Sequence, residues 1–215
     1  MLQLAIQYKK LIIGLFTFLY GLIVLYIITG TYLFFTNEEW IAQFFEWSLV
    51  FAHAAVITFI VVLLPGIMGR LKIRIQSTFV LTTFRRQLGI LMFLFSFTHF
   101  YFAEFLFRGS GMTPFLSPLP LFKLFSLVAL FFLFLLFLTS NNTAVRILGP
   151  RWKRLHQLVY IIVWLLFAHV ALQRTSIWSV LLGITALAET LSLVIDFVRK
   201  QNVKTEPSSP SSHLP

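Results

Sequence analysis

Two histidines lie within one apolar stretch of the chain, where ionisable side chains are costly and mark candidate functional sites. The stretch runs from Arg151 to Arg174 with the sequence RWKRLHQLVYIIVWLLFAHVALQR. Its apolar part can span a bilayer, which takes about 20 residues. His156 lies near the basic end of this segment, and His169 lies roughly 20 Å further along a helix. The two imidazoles are therefore predicted to lie at different depths.

Two other apolar segments also carry a histidine. His99 follows Arg86 by 13 residues, and His169 follows Arg154 by 15 residues. These separations place both imidazoles roughly 20 to 22 Å from their basic boundaries, at one level of the bundle. His53 precedes its own basic boundary by 17 residues and is predicted at the same outer level. This level is the expected meeting point of the intramembrane histidines.

Two imidazoles facing each other across an apolar, aromatic bundle suit a b-type heme, because neutral imidazole nitrogen is a good iron ligand. The sequence has no C-x-x-C-H motif, which excludes covalent heme attachment. We expect His99 and His169 to be the axial ligands. His53 has no obvious opposite histidine, so a hydrogen bond to a neighbouring helix is the simpler interpretation.

His156 has two open interpretations. As a second iron ligand it would need an opposite ligand near Arg85 or Arg86, where the sequence has no histidine. At about 100° per residue, His156 and His169 lie roughly 140° apart on an ideal helix, so a shared cofactor face requires a distortion. The alternative is an interfacial residue near heme propionates, flavin or phospholipid head groups.

The composition predicts an all-α membrane protein. The chain has 215 residues, of which 59% are hydrophobic and 11% charged, whereas soluble domains are nearer half apolar and a quarter charged. Cysteine is absent, which excludes disulfides, thiolate metal sites and iron–sulfur clusters. The net charge of +10 comes from residues at span ends, with no continuous patch, so we predict no nucleic-acid partner.

Six spans are predicted, at residues 11–35, 45–64, 87–107, 121–138, 151–174 and 177–198. The Pro65-Gly66 pair is expected to end the second span, residues 75–84 to form a short interfacial helix, and residues 139–150 to be a polar connector. Residues 1–10 form a cytoplasmic tail, residues 11–198 the membrane domain, and residues 199–215 a disordered cytoplasmic tail.

Fourteen of the 17 Lys and Arg residues fall on one side of this six-span layout. The positive-inside rule therefore predicts that both termini are cytoplasmic. Glu104 is expected near the outer interface and Asp196 near the inner one. Glu189 lies deeper, and the sequence offers no account of it.

The pattern resembles the ferric reductase-like transmembrane domain, over about residues 70–198. The residues that carry the resemblance are Arg85-Arg86-x-Leu88-Gly89, Thr98-His99, Leu148-Gly149-x-x-Trp152-x-x-Leu155-His156-x-x-Val159-Tyr160, and His169. Within that family, length, layout and the Leu-Gly-x-x-Trp-x-x-Leu-His run are most similar to the MsrQ branch of heme-binding membrane subunits.

The resemblance implies one heme b, or two if His156 also binds iron. It implies electron transfer from a cytoplasmic flavin reductase to a redox partner at the outer face, which for the MsrQ branch is a periplasmic molybdopterin methionine sulfoxide reductase. Arg85 and Arg86 match the family's basic pair and are expected to hold heme propionates or the phosphate of a flavin (FMN). This chain has one histidine in span three where fused relatives have two, which weakens the case for a second heme.

Other classes of function stay open. One is a stand-alone transmembrane ferric, metal or quinone reductase. Another is a proton-coupled transporter without heme, using Glu104, Glu189 and the histidines as a relay, and a third is a membrane assembly subunit. The sequence has no Gly-rich nucleotide motif. We therefore expect an electron-transfer component that depends on a partner, rather than a complete enzyme.

Overall fold

The computed structural model describes residues 7–36, 39–73, 75–111 and 119–205, and these residues form helices and no strands. A π-helical segment, Tyr101–Phe105, lies within the third long helical stretch. The α-helices are α1 (Lys9–Thr36), α2 (Trp40–Arg70), α3 (Gln76–Phe100), α4 (Leu106–Gly109), α5 (Leu121–Leu138), α6 (Asn142–Leu148), α7 (Pro150–His156), α8 (Val159–Gln173) and α9 (Ile177–Thr205).

Six helical segments are long and apolar enough to cross a membrane. They correspond to the six predicted spans, and the all-α multi-pass prediction is confirmed. The predicted span at residues 121–138 coincides with α5. Most of the predicted N-terminal tail, Arg74, part of the predicted loop at residues 109–120, and residues 206–215 of the predicted C-terminal tail lie outside the described residues.

Five helices form a closed ring in the order α2, α3, α5, α8, α9, with α9 packing back against α2. The first helix, α1, lies outside this ring against α2 and α3. All five ring helices contribute to one apolar core, whose fully buried members include Phe59, Leu63, Leu133, Ile162, Leu182 and Ala186. The ring is the scaffold that positions the intramembrane histidines.

The predicted end of the second span at Pro65-Gly66 is wrong, because α2 continues through Pro65 to Arg70. A membrane helix tolerates proline where neighbouring helices support the freed backbone. Here the last turn is held from α9, where Arg199 Nη1 donates to the Arg70 carbonyl at 3.1 Å. The Arg70 side chain also folds back beside Gly66, where a Cβ would lie 3.5 Å from its guanidinium.

The predicted separate helix at residues 75–84 is also wrong, because α3 begins at Gln76 and runs without a break into the membrane segment. Apolar residues of this first part, such as the buried Phe84, pack against α1, whose Phe16 ring lies 6.3 Å away. At the other end of the chain, α9 continues to Thr205, beyond the predicted end at Val198.

The predicted polar connector at residues 139–150 contains a short helix, α6, capped by the Asn141 side chain, which accepts from the Ala144 N–H at 2.8 Å. Gly149 then adopts a positive φ of 48°, a conformation that suits glycine, and Pro150 starts α7. Between α7 and α8 the backbone bonds tighten to three-residue spacing, with Gln157 donating to Arg154 and Leu158 to Leu155. The span that carries His156 and His169 is therefore distorted between them.

Candidate functional site

The imidazole of His99 on α3 is held by the backbone of α2. Its Nδ1 lies 3.0 Å from the carbonyl oxygen of Ser48. A carbonyl can only accept, so Nδ1 carries the hydrogen and donates it. The neutral ring then has a free lone pair on Nε2, which has no hydrogen-bond partner among the described residues.

His169 on α8 repeats this arrangement with a different neighbour. Its Nδ1 lies 2.8 Å from the carbonyl oxygen of Phe122, in the first turn of α5. The Phe122 ring packs beside the imidazole with a centroid separation of 5.9 Å. Nδ1 is again the donor, and the lone pair of Nε2 has no partner in the described part of the chain.

The two rings lie in one part of the bundle. His99 is within electrostatic range of both His169 and His53. His99 is held by Ser48, and His169 is held by Phe122. Both Ser48 and Phe122 lie near the end of the bundle opposite Arg70. The structure thus brings together three histidines from α2, α3 and α8.

Paired imidazoles of this kind fit an iron porphyrin. A metal-binding histidine commonly donates its other ring N–H to a backbone carbonyl, which fixes the tautomer and raises the basicity of the ligating nitrogen. His99 and His169 both have that bond already made. The described residues contain no group of three or more His, Asp or Glu able to hold a metal ion. A porphyrin supplies four nitrogens of its own and needs only two axial ligands.

His53 takes a different position. Its ring is exposed and stacks on Trp178 of α9, with centroids 4.4 Å apart and planes 16° apart. Neither ring nitrogen has a hydrogen-bond partner among the described residues. The expected hydrogen bond to a neighbouring helix is therefore replaced by ring stacking across the seam between α2 and α9.

His156 lies at the opposite end, which we call the basic end and define by Arg70, Arg85, Arg86 and His156. Its Nε2 lies 3.2 Å from Oγ1 of Thr139, and its ring packs on Trp152 with centroids 4.1 Å apart. His156 lies within electrostatic range of Arg85 and Arg86 of α3. His156 and His169 thus lie at different ends of the bundle.

The two arginines of the predicted basic pair differ in their contacts. Arg86 donates from Nη1 to Oδ1 of Asn142 at 2.7 Å, which ties α3 to α6. Arg85 makes no hydrogen bond or ion pair with any described residue, and its side chain is exposed. Arg85 is therefore the guanidinium available to an anionic group at the basic end.

No feature of the sequence indicates which residue pairs with Glu189. The carboxylate is 2% exposed and lies 2.5 Å from Nη2 of Arg70, 119 residues away in the chain. The contact is ionic without hydrogen-bond geometry, and Oε2 and Nη2 have no hydrogen-bond partner in the described residues. Arg70 also donates from Nε to Ser192 at 2.9 Å and lies over the Tyr160 ring. Only the depth of Glu189 in an apolar span marked it as unusual.

Glu104 belongs to a second ionic cluster, at the end of the bundle that holds His99. It lies in the π-helical segment and pairs with Arg108 one turn further on. Its second oxygen accepts from Nζ of Lys123 on α5 at 2.6 Å. A π-helical turn shifts the register of the side chains that follow it. The cluster joins α3 to α5 close to the paired imidazoles.

These features define a multi-pass helical membrane protein with two partly buried imidazoles that each donate from Nδ1 to a backbone carbonyl. The sequence profile of the family described as ferric reductase like transmembrane component matches residues 51–167. That match covers more than half of the chain, so the chain belongs to this family.

Among curated relatives, the chain is similar to the protein-methionine-sulfoxide reductase heme-binding subunit MsrQ of Brucella ovis, at 32% identity over 93 residues. The matched segment covers 42% of this chain and 42% of that relative. MsrQ of Brucella melitensis biotype 2 is 33% identical over 85 residues, or 39% of each chain. The similarity thus spans less than half the length of these relatives. No solved structure matches the chain.

Proposed function

We propose that this protein is a b-type heme subunit that passes electrons across a membrane. The observation that carries the proposal is the matched state of His99 and His169, in which each Nδ1 donates to a carbonyl and each Nε2 is free. Membership in the ferric reductase like family and the heme-binding relatives support the same cofactor.

His99 and His169 serve as the axial ligands in this proposal. The carbonyls of Ser48 and Phe122 orient the two rings and strengthen them as ligands, because a hydrogen bond at Nδ1 raises the basicity of Nε2. A heme, when bound, supplies reversible one-electron chemistry. The apolar ring of helices limits the access of water and so helps to set the potential.

The basic end faces the cytoplasm in this proposal, since most Lys and Arg residues lie there. Both termini are then cytoplasmic, and the protein is placed in the inner membrane of a bacterium. Electrons come from a cytoplasmic flavin reductase. Arg85, which has a free guanidinium, and Arg86 supply positive charge for heme propionates or for the phosphate of FMN.

The acceptor lies at the outer face. The names of the relatives associate them with reduction of protein methionine sulfoxide, and we infer that this chain serves a comparable reductase, a molybdopterin enzyme of the periplasm. Each electron that crosses involves roughly 2.3 kcal/mol per 100 mV of membrane potential, and a potential that is negative inside favours its movement from the cytoplasmic side to the outer face.

Inverted membrane vesicles provide a direct test. NADH with a flavin reductase and FMN is added outside, and methionine sulfoxide with a periplasmic reductase is enclosed. We expect the heme absorbance to show that the donor added outside the vesicles reduces the heme. Reoxidation of the heme is expected only when both methionine sulfoxide and the periplasmic reductase are enclosed. Vesicles with His169→Ala serve as the matched control. Reoxidation by an enclosed ferric chelate or quinone at the same rate would instead indicate a stand-alone reductase.

A further inference from the structure

Three intramembrane histidines make hydrogen bonds, in two different arrangements, whereas His53 makes none to a described residue. His99 and His169 donate from Nδ1 to a backbone carbonyl, which leaves the lone pair of Nε2 free. His156 has the opposite arrangement, because its Nε2 faces the Thr139 hydroxyl at 3.2 Å. An axial ligand of this kind would present Nε2 to iron. Of these three histidines, His156 is the one whose Nε2 is already engaged by another group.

The Thr139 hydroxyl is itself bound to the end of α5. Its Oγ1 lies 2.8 Å from the carbonyl of Leu135 and 3.2 Å from that of Leu136. If the single hydroxyl hydrogen goes to Leu135, then Nε2 of His156 must carry a hydrogen and donate to Oγ1. If the hydroxyl donates to His156 instead, it occupies the lone pair of Nε2. Neither arrangement leaves a lone pair on Nε2 for iron.

Trp152 fixes this arrangement from the other side. Its Nε1 donates to the backbone carbonyl of Thr139 at 2.9 Å, and its ring covers the His156 imidazole. Thr139 thus binds both aromatic rings of α7 to the end of α5. An axial imidazole needs open space around its ligating nitrogen for the porphyrin plane, and here that position is occupied by a side chain.

Among the residues that the structure describes, no histidine lies opposite His156 to complete a second iron site. The charged groups within electrostatic range of His156 are Arg85 and Arg86 of α3. The other described histidines, His53, His99 and His169, belong to the opposite end of the bundle. His213 lies outside the described residues, so it is included in the test below.

We propose that the chain binds a single heme, between His99 and His169, and that His156 is a hydrogen-bonding residue of the basic end rather than an axial ligand. This inference rests on the proposed function, because it presupposes that heme is bound. With Nε2 protonated, His156 presents Nδ1 as a hydrogen-bond acceptor beside two arginines.

The test is heme stoichiometry in the full chain, purified in detergent and saturated with hemin. Pyridine hemochrome content is divided by protein from amino-acid analysis, and electron paramagnetic resonance counts the low-spin species. We expect one heme and one low-spin species in the wild type, unchanged in His156→Ala and His213→Ala. His156→Gln keeps a donor for Thr139 and serves if the alanine variant does not fold.

Two outcomes would overturn the inference. One is two hemes in the wild type with a loss of one in His156→Ala or His156→Gln. The other is two low-spin species in the wild type, which decides the question even if no variant folds. A wild-type chain that takes up no heme would contradict the proposed function itself, so the two failures are distinguishable.

Discussion

Arg70 of α2 and Glu189 of α9 form an ion pair, 2.5 Å from Nη2 to Oε1, that closes the ring of five helices at the basic end. The carboxylate is almost fully buried, and the guanidinium is also bound by Ser192. Two charges removed from water stabilise a fold only while both are present, because either one alone is left uncompensated. The pair therefore makes the seam between α2 and α9 sensitive to single substitutions.

Arg70→Met is expected to destabilise the protein by about 3–5 kcal/mol, because it leaves Glu189 as an unpaired buried charge. The double variant Arg70→Met, Glu189→Met is expected to recover most of that loss. Thermal unfolding followed by circular dichroism in detergent measures both.

Asp196→Asn is the matched control for this prediction. It removes the ion pair of Asp196 with Lys200 on the same helix, and the Lys200 side chain is 72% exposed. We expect little change in the melting temperature. A loss in Asp196→Asn as large as that in Arg70→Met would contradict the role assigned to the buried pair.

Gly30 is required by the packing of α1 on the ring. A Cβ at this position would lie 2.6 Å from Phe102 and 3.1 Å from Phe44, and both rings are buried. Gly30→Val should therefore cost at least about 1–3 kcal/mol by overpacking. Gly21→Val on the same helix meets nothing within 4 Å and is expected to be tolerated. Equal melting temperatures for the two variants would contradict this docking of α1.

The six spans could be predicted from the sequence because runs of apolar residues bounded by charges are a strong local signal. Span four needed no correction, since Pro120 and the polar Thr139 bound it on both sides. The end of α2 could not be predicted, because the contact that holds its last turn comes from Arg199 of α9, far away in sequence. Local signals cannot report such contacts.

The candidate site was predictable in part for the same reason. Histidine is rare at membrane depth, so His99, His169 and His156 could be singled out from type and position. The carbonyls of Ser48 and Phe122 belong to the backbone and leave no trace in residue identity. The depth of Glu189 in its span is unusual, but nothing in the sequence indicates that its partner is Arg70, 119 positions away. Tertiary packing alone brings these groups together.

Free imidazole should restore the ligand in a cavity variant. In His169→Gly the carbonyl of Phe122 remains able to accept from added imidazole, and we expect recovery of the low-spin heme spectrum. Because 1-methylimidazole has no N–H, it should bind about 2- to 12-fold more weakly, as expected for a lost hydrogen bond of about 0.5–1.5 kcal/mol. Equal affinities in a spectral titration would contradict the role of the carbonyl.

His53 is expected to be dispensable for heme binding, although it lies near His99. Its ring stacks on Trp178, and no hydrogen bond to a described residue orients either nitrogen toward a metal. We predict that His53→Ala keeps the wild-type heme content, measured as pyridine hemochrome per chain. Loss of half or more of the heme in this folded variant would make His53 a ligand in place of His99 or His169.

The dithionite-reduced minus oxidised absorbance spectrum of the purified protein tests the central claim most directly, with wild type, His53→Ala, His99→Ala and His169→Ala compared after heme reconstitution. We predict a low-spin b-type spectrum in the wild type and in His53→Ala, and its loss or conversion to high spin in both His99→Ala and His169→Ala. A wild-type protein that stays colourless, or a low-spin spectrum that survives in both of those variants, would contradict the account.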